Sequence, residues 1–280
     1  MTMATLSSVL QPAVAGGYAV CGLVCLGWED ARAFVRAAEA EGLPVILQAG
    51  PSCRAHTPLR VLGPMFRALG EMAAVPVVAH LDHGASREEC REAIECGFTS
   101  VMYDGSQTPL EKNIADTAEI AAMAQAAGAC CEGEIGFVGY ATGETSRGTD
   151  PDEAKRFAAE TGVDAMAISV GNVHLQERHE GVIDLARIRA IEAVTNVPLV
   201  IHGGSGIPHV ERGALARDTR IAKFNIGTEL RQVFGQSLRD TLSGDAALYD
   251  RVKILSAVEA PLQVAARRAL RAAAPDGLRL

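Results

Sequence analysis

Three histidines of this 280-residue chain follow apolar stretches, at positions where side chains of parallel α/β folds usually meet. His83 follows an apolar run at residues 76–79, and a helical pattern begins just after it, at residue 86. His174 and His202 stand at the ends of two other apolar runs. The carboxyl ends of parallel strands lie at one edge of a sheet or barrel, so we expect the three imidazoles to converge. Three neutral imidazoles with an open fourth position are the ligands of a catalytic zinc ion.

Acidic side chains accompany these histidines. Asp82 directly precedes His83, and two interpretations stay open for it. It shuttles a proton to or from a substrate hydroxyl, or it orients a neighbouring histidine. Asp104 and Glu134 end the two strands that follow, and we expect them to hold a second cation or to orient the metal ligands.

Two glycine-rich turns follow the last two apolar runs. The first contains His202, Gly203, Gly204, Ser205 and Gly206, and the second contains Asn225, Ile226, Gly227 and Thr228. Backbone amides of such turns, with a helix N-terminus behind them, bind phosphate groups. In a (β/α)₈ barrel, the loops after strands seven and eight form the usual phosphate site. We therefore predict phosphate binding at these turns.

Short apolar runs alternate with helical patterns along the chain, and such runs are typical of strands buried on both faces of a parallel sheet. The predicted strands are Tyr18–Cys25, Pro44–Gly50, Pro76–His83, Ser100–Gly105, Ala129–Gly136, Asp164–Gly171, Pro198–Gly204 and Ile221–Gly227. The helical patterns between them include Glu29–Glu41, Leu59–Ala74, Leu110–Ala127, Pro151–Thr161 and Leu185–Val194. Eight such units predict a (β/α)₈ TIM barrel. A doubly wound open sheet is the competing arrangement, and the count of eight, without a linker, favours the barrel.

We expect one domain over residues 1–280, with the barrel at about 18–242 and C-terminal helices at about 243–273. The longest irregular segment, Phe137–Asp150, is interpreted either as a mobile lid over the site or as a surface insertion. Near the C-terminus, Arg267, Arg268 and Arg271 are expected to form a solvated helix face.

The composition excludes several classes of function. Hydrophobic residues make up 48% of the chain, enough to bury a core without disulfides. The formal net charge of −8 argues against a nucleic-acid partner held through its phosphates. No apolar run approaches the length of a membrane span, and the N-terminus lacks a signal-peptide pattern. The seven cysteines, an odd number, are interpreted as reduced thiols of a cytoplasmic protein.

Five motifs together resemble the class II, zinc-dependent ketose-bisphosphate aldolases, which include fructose- and tagatose-bisphosphate aldolases. They are His80–His83, Val101–Ser106, Glu132–Gly136, His202–Gly206 and Asn225–Leu230, and they occur in the family's order from about Tyr18 to Leu230. The resemblance implies a TIM barrel, a dimeric or tetrameric assembly, a zinc cofactor and a phosphorylated ketose substrate.

The resemblance also implies a role for each matching residue. His83, His174 and His202 match the zinc ligands, and Asp82 matches the acid/base that serves the oxygen of the released aldehyde. Asp104 and Glu134 match carboxylates near a second metal position, which a divalent or monovalent cation would occupy. The residues that match the dihydroxyacetone phosphate site are Gly203, Ser205, Asn225 and Thr228.

Three departures from the family pattern bear on proton transfer and on substrate choice. Members carry a proton-exchanging Glu in the loop after Glu134, and Glu144 is the nearest match, although the local sequence lacks the family's Gly-Gly pair. The Gly that usually follows the zinc histidine is Leu175 here, and its Cβ is expected to crowd the phosphate or a cation. The first strand ends at residues 23–27 without the family's Asn side chains. Fructose bisphosphate itself is therefore an uncertain substrate.

The function predicted from the sequence is reversible, zinc-dependent aldol cleavage of a phosphorylated ketose to dihydroxyacetone phosphate and an aldehyde. Two alternatives remain at this stage. One is another metal-dependent reaction of a sugar derivative on the same barrel, such as epimerisation or hydrolysis. The other is a sugar-phosphate-binding subunit without catalytic activity.

Overall fold

The protein is described by a computed structural model, which covers residues 2–141, 143, 145–178, 182–275 and 277–278. Eight parallel strands close into a barrel in which each strand pairs with its neighbours in sequence and β1 pairs with β8. The strands are β1 Val20–Val24, β2 Val45–Ala49, β3 Val77–Gly84, β4 Ser100–Tyr103, β5 Cys130–Ile135, β6 Ala165–Ile168, β7 Leu199–Ile201 and β8 Ile221–Ile226. The predicted TIM barrel is confirmed.

Helices surround the barrel and cover its amino end. They are α1 Leu6–Gly16, α2 Trp28–Glu41, α3 Pro51–His56, α4 Leu59–Met72, α5 Arg87–Glu95, α6 Leu110–Ala126, α7 Pro151–Thr161, α8 Leu185–Glu192, α9 His209–Asp218, α10 Thr228–Gly244, α11 Arg251–Ser256 and α12 Glu259–Ala272. A 3₁₀ turn, Gly204–Gly206, follows β7. None of the described helices is long and apolar enough to cross a bilayer.

The interior of the barrel has an apolar lower half and a polar upper half. In the lower half, α1 packs Leu6, Leu10 and Ala13 against inward side chains such as Ile46 and Val78. The sequence analysis did not predict α1, which begins with a capping box at Thr5 and Ser8 and closes the amino end of the barrel.

Above this layer, the inward positions of the strands are polar. The buried side chains there are Gln48, His80, Asp82, Glu132, Glu134, His202, Lys223 and Asn225. Every second residue of a strand points inward, so the inward residue that follows the apolar one lies two positions further along, in the polar layer. The polar layer therefore lies at the carboxyl end of the barrel, where active sites of this fold are built.

The C-terminal arginines lie on a partly solvated face, with Arg268 and Arg271 exposed and Arg267 half-buried, and two of them also make ion pairs. Arg267 and Arg271 on α12 each donate a hydrogen bond of 2.5 Å to Glu41, whose side chain is buried at the end of α2. These contacts fasten α12 to α2.

Candidate active site

The three histidines predicted to be metal ligands converge at the carboxyl end of the barrel. Their ligand nitrogens all lie within 4.8 Å of one another, and the ring centroids of His83 and His202 are 4.6 Å apart. His174, on the loop after β6, has ring centroids 5.1 Å from His83 and 5.6 Å from His202. An ion placed among the three rings would meet one nitrogen from each.

In His83 and His202, one ring nitrogen is engaged in a hydrogen bond, and the other is left for a metal ion. The Nδ1–H of His83 donates to Asp104 Oδ2 at 2.7 Å, which leaves Nε2 free. His202 makes its hydrogen bond through Nε2, which lies 3.2 Å from Glu132 Oε1. Because the carboxylate can only accept, His202 carries its proton on Nε2, and the lone pair of Nδ1 faces the site. Carboxylate partners of this kind orient metal-bound histidines.

Two buried atoms at the centre of the cluster lack a hydrogen-bond partner among the described residues. They are His202 Nδ1 and Glu134 Oε2, which lie 3.4 Å apart. A lone pair and a carboxylate oxygen left unpaired in a buried site are costly unless a cation binds there. The donor set, imidazole nitrogen with carboxylate oxygen, is one that zinc accepts. The residues present therefore fit a divalent metal ion.

Charges within the cluster shift the pKa values of its members in opposite directions. Burial, the larger cause, and the charge of Asp104 together raise the pKa of Glu134 to about 8. Burial alone would lower the pKa of His83, but the charge of Asp82 and the hydrogen bond to Asp104 raise it to about 10. Burial and the neighbouring His83 and His202 lower the pKa of His174 to about 3. The carboxylates thus favour positive charge at His83, whereas His174 stays neutral.

Asp104 and Glu134 also form a second possible cation position with His83. One ligand atom from each of these three residues lies within 4.8 Å of the other two. Asp104 Oδ1 is held by the backbone amide of Ser106 at 3.1 Å and by its hydroxyl at 2.6 Å. The structure therefore brings both carboxylates to the place where the sequence analysis expected them.

Asp82 and His83 both reach the site because β3 is distorted at its end. His83 adopts a φ of 51°, and the pairing of β3 with β4 shifts register between Leu81 and Gly84. Neighbouring residues of a regular strand point to opposite faces. The left-handed conformation of His83 interrupts this alternation, so that both side chains line one cavity of about 310 Å³.

Two amide side chains hold one oxygen of Asp82. Gln48 Nε2 donates to Oδ1 at 2.9 Å, and Asn225 Nδ2 donates to the same atom at 3.1 Å. The other oxygen, Oδ2, faces Gly50 and accepts no hydrogen bond from the described residues. The Asp82 carboxylate is thereby fixed with one oxygen available to a substrate.

Gln48 is a site residue that the sequence analysis missed. The first strand lacks the family's amide side chains, and Gln48 on β2 supplies an amide beside Asp82. Room for it comes from Gly22, where an added Cβ would lie 1.9 Å from Gln48 Oε1. A glycine inside a strand marks such a close approach, so Gly22 was the available signal.

A buried charged cluster below the histidines was also missed. Lys223 Nζ donates to Glu132 Oε2 at 2.7 Å and lies 3.4 Å from His80 Nε2, and all three side chains are fully buried. The other Glu132 oxygen is the one that binds His202. A lysine inside the apolar strand Ile221–Ile226 was the sequence signal.

The predicted phosphate turns lie together at one side of the cavity. Gly203, Ser205, Asn225, Gly227 and Thr228 line it, whereas Gly204 and Ile226 are buried behind its wall. The hydroxyl of Ser205 accepts from the amides of Gly227 and Glu229 at 3.2 and 3.4 Å. Two of the amides at the start of α10 are thus already paired with a hydroxyl group, which itself faces the cavity.

Leu175 also lines this cavity and has an unusual backbone conformation. Its φ is 57°, in the left-handed region that favours glycine, and its side chain is 46% exposed. Position 175 is therefore a place where glycine would fit without strain, in keeping with the glycine expected there from the family pattern.

The loop after β5 is attached to the site. Backbone hydrogen bonds join Gly139 and Ala141 to His174 at 2.8 and 3.0 Å, and the ring of Tyr140 stacks on His174 with a centroid distance of 5.1 Å. Glu144, the predicted proton donor, lies outside the described residues.

Comparisons with known proteins identify the family. Residues 4–277 match the family model described as fructose-bisphosphate aldolase class II. A fructose-bisphosphate aldolase of Geobacillus stearothermophilus is 36% identical over 262 residues, 91% of each chain. A 6-phospho-5-dehydro-2-deoxy-D-gluconate aldolase of Halalkalibacterium halodurans is 36% identical over 263 residues, 89% of this chain and 88% of the relative.

A solved structure is similar over the whole chain. The crystal structure of the YdjI aldolase from Escherichia coli K12 superposes with a TM-score of 0.87 and 27% identity, covering 99% of this chain and 100% of that one. The barrel, the order of the motifs and these relatives agree. This chain therefore belongs to the class II fructose-bisphosphate aldolase family, whose members are generally metal-dependent, and it is a lyase that cleaves phosphorylated sugars by an aldol reaction.

Proposed function

We propose that this aldolase reversibly cleaves a ketose phosphate to dihydroxyacetone phosphate and an aldehyde, with Zn²⁺ held by His83, His174 and His202. The observation that carries the proposal is that the cavity combines three features. They are the convergent imidazoles, a carboxylate with one free oxygen, and two turns suited to a phosphate. A metal bound by the imidazoles supplies a Lewis acid for the carbonyl oxygen of the ketose.

Asp82 is the proposed acid/base. Its Oδ1 is fixed by Gln48 and Asn225, so that Oδ2 is available to take the proton from the hydroxyl on the carbon released as aldehyde. In the synthetic direction the same oxygen returns that proton. A positioned acid/base of this kind contributes about 10²–10⁴-fold to the rate.

The phosphate of dihydroxyacetone phosphate is assigned to the turns after β7 and β8. Gly203, Ser205, Asn225 and Thr228 face the cavity, and α10 begins at Thr228 with the positive end of its dipole toward the site. Glu144 is proposed to exchange the proton on the nucleophilic carbon. The loop that carries it is attached to His174 through Gly139 and Ala141, which supports this position for the loop.

A second cation and an oligomeric state complete the proposal. His83, Asp104 and Glu134 are the proposed ligands of a second divalent or monovalent cation. We expect a cytoplasmic homodimer or homotetramer, and the exposed apolar side chains of Tyr249 and Val252 support a subunit contact at the C-terminal helices. Light scattering coupled to size-exclusion chromatography measures this state.

The Asp82→Ala variant tests the mechanism. We expect it to retain the metal, because the three imidazoles remain, and to lose about 10²–10⁴-fold in cleavage rate. The measurements are metal content by atomic emission and kcat on a ketose phosphate, with release of dihydroxyacetone phosphate detected by a coupled assay. Near-normal cleavage combined with loss of zinc would assign Asp82 to metal orientation instead.

A further inference from the structure

A buried arginine, Arg54 on α3, contacts the backbone of the active site although it does not line the cavity. Its side chain is 7% exposed, and all five N–H donors of its guanidinium group have an acceptor. Nη1 donates to the carbonyl oxygens of Ala49 at 2.7 Å and of Asp82 at 2.6 Å. Nη2 donates to the carbonyl oxygen of His83 at 2.9 Å. The remaining two donors, on Nε and Nη2, contact the Glu89 carboxylate at 2.7 and 3.2 Å.

The carbonyl groups of Asp82 and His83 have an arrangement that a regular strand does not allow. They follow one another along the chain, and in a regular strand successive carbonyl groups point to opposite sides. Here both point to one side, at 2.6 and 2.9 Å from Arg54. The left-handed φ of 51° at His83, which is unusual for a residue with a Cβ, accounts for this arrangement. Since the two carbonyl groups belong to the peptide units on either side of the His83 Cα, holding both of them restrains its φ and ψ.

The neighbouring strand β4 does not supply this restraint. The amide of His83 donates to the thioether sulfur of Met102 at 3.4 Å, and such sulfur atoms are weak acceptors. Pairing with β4 is restored at Gly84, whose carbonyl oxygen accepts from the amide of Asp104 at 3.0 Å. Arg54 therefore holds the backbone at the point where pairing with β4 is interrupted.

Glu89 determines the direction of the guanidinium group. Both of its oxygens accept from Arg54, in the planar two-bond arrangement typical of arginine and carboxylate. Glu89 itself is fixed at the start of α5, where its Oε2 accepts from the amide of Ala85 at 2.8 Å and its own amide donates to the Ser86 hydroxyl at 3.2 Å. A lysine at position 54, with three donors on one nitrogen, could not contact all of these acceptors at once.

We propose that Arg54 is a positioning residue of the aldol reaction, because it maintains the turn at His83 that presents the Asp82 carboxylate to the substrate. Gln48 and Asn225 fix this carboxylate through its side chain, and Arg54 fixes it through the backbone. The inference rests on the proposed function, which gives Asp82 the acid/base role.

The test compares Arg54→Met with the wild type on fructose 1,6-bisphosphate or tagatose 1,6-bisphosphate, whichever the wild type cleaves faster. Zn²⁺ is present in excess, so that an effect on metal affinity through His83 does not contribute. Displacement of a catalytic group by about 1 Å can cost about 10²-fold in rate, and we expect kcat to fall by about this factor. KM is expected to change little, because the contacts of Arg54 lie at the ends of β2 and β3 and on α5, away from the phosphate turns.

A double-mutant cycle with Asp82→Ala distinguishes positioning of the acid/base from a general loss of structure. Since Arg54 acts through Asp82, Arg54→Met is expected to change the residual cleavage by Asp82→Ala little. Arg54→Lys, which retains the positive charge beside Glu89, is expected to lose less activity than Arg54→Met, and it replaces Arg54→Met in the cycle if the latter does not fold. Arg60→Met is the control, because Arg60 on α4 also pairs with a glutamate of α5, Glu92, at 3.9 Å, but is exposed. It is expected to retain the kcat of the wild type.

A half-reaction separates this inference from the proposed function. Exchange of a proton on the hydroxymethyl carbon of dihydroxyacetone phosphate with solvent deuterium requires the metal and phosphate sites but not Asp82. We expect Arg54→Met to keep this exchange while it loses cleavage. Absence of both exchange and cleavage in the wild type would reject the proposed function. Normal kcat in Arg54→Met, loss of exchange together with cleavage, or an equal loss of cleavage with and without Asp82 would overturn the inference about Arg54 and leave the function in place.

Discussion

Removal of the Lys223 ammonium group is predicted to affect both stability and metal binding, since this group pairs with the carboxylate that orients His202. In Lys223→Met, Glu132 would stay buried and lose its 2.7 Å partner. Attraction between unit charges at this separation is about 6 kcal/mol at an effective dielectric constant of about 20. Breaking a fully buried pair typically costs about 3–5 kcal/mol. We expect a loss of about 3 kcal/mol, because His202 still donates to the other carboxylate oxygen.

The effect on metal binding follows from the same contacts. Without Lys223, only His202 holds the Glu132 carboxylate. The hydrogen bond that Glu132 accepts from His202 Nε2–H then no longer fixes the orientation of the imidazole ring. Loss of such an orienting partner typically lowers metal affinity by about 10–100-fold. We therefore expect Zn²⁺ affinity to fall by about 10-fold in Lys223→Met.

A double variant separates the two effects. In Lys223→Met combined with Glu132→Leu, no charge remains buried at this pair, and replacement of a buried ion pair by apolar groups is often neutral or stabilising. Stability is expected to recover, whereas metal affinity is expected to fall by about 100-fold because His202 has lost its acceptor. Lys112→Met is the control, since Lys112 is exposed and pairs with Asp116 on the same helix.

The assays are urea unfolding of the metal-free proteins and competition for Zn²⁺ with a chelator of known affinity. Recovery of both stability and metal affinity in the double variant would refute the role given to Glu132. Unchanged stability in Lys223→Met would refute the magnitude argued from the buried charge.

Three further predictions concern the metal, Leu175 and Glu41. Chelation should abolish cleavage, and zinc or cobalt should restore it, whereas full activity in excess chelator with borohydride trapping of a substrate imine would indicate a lysine mechanism. Leu175→Gly should raise the free energy of unfolding in urea by about 0.5–1 kcal/mol by relieving the left-handed φ, whereas Leu175→Ala should not. The glycine variant should also gain kcat/KM on fructose 1,6-bisphosphate relative to ketose 1-phosphates, and no gain would show that the Leu175 Cβ does not crowd the site. Burial alone would raise the pKa of Glu41, but hydrogen bonds from Arg271 and Arg267 lower it. The stabilisation is therefore present above the unfolded pKa, near 4.5, and is lost as pH falls through the lower folded value. Glu41→Gln should accordingly destabilise by about 0.5–1 kcal/mol at neutral pH and by less near pH 3, and Glu95→Gln on exposed α5 should change little.

The strands could be predicted because their sequences report burial directly. A segment such as Val45–Ala49 is apolar at nearly every position, since both faces are covered in a parallel barrel. The strand bounds differ from the predicted ones by a few residues at each end, where turn residues such as Pro44 and Gly50 adjoin the apolar run. Helix α1 was not predicted, because its role depends on distant partners such as Ile46 and Val78 at the base of the barrel.

Within the site, single residues at strand ends could be recognised but their partners could not. His83 and Asp82 stood out because a polar pair ends an apolar run. The pairing of Gln48 with Asp82 joins the neighbouring strands β2 and β3, and that of Lys223 with Glu132 crosses the barrel interior from β8 to β5, so both depend on tertiary structure. The left-handed φ of His83, which brings Asp82 and His83 to one cavity, has no signature in residue type.

The charges of the upper barrel give a physical reason why this site requires a cation. Among the described residues there, the carboxyl groups of Asp82, Asp104, Glu132 and Glu134 are accompanied by the ammonium group of Lys223. Lys223 neutralises Glu132 but lies in the layer below the others, and the three remaining carboxyl groups surround the histidines. Burial and the charge of Asp104 raise the pKa of Glu134 to about 8, so that without a metal part of this excess charge is offset by proton binding. A divalent ion bound by the imidazoles would offset the same charge without a proton. The acidic residues of the polar layer thus favour metal binding beside Asp82, the proposed acid/base.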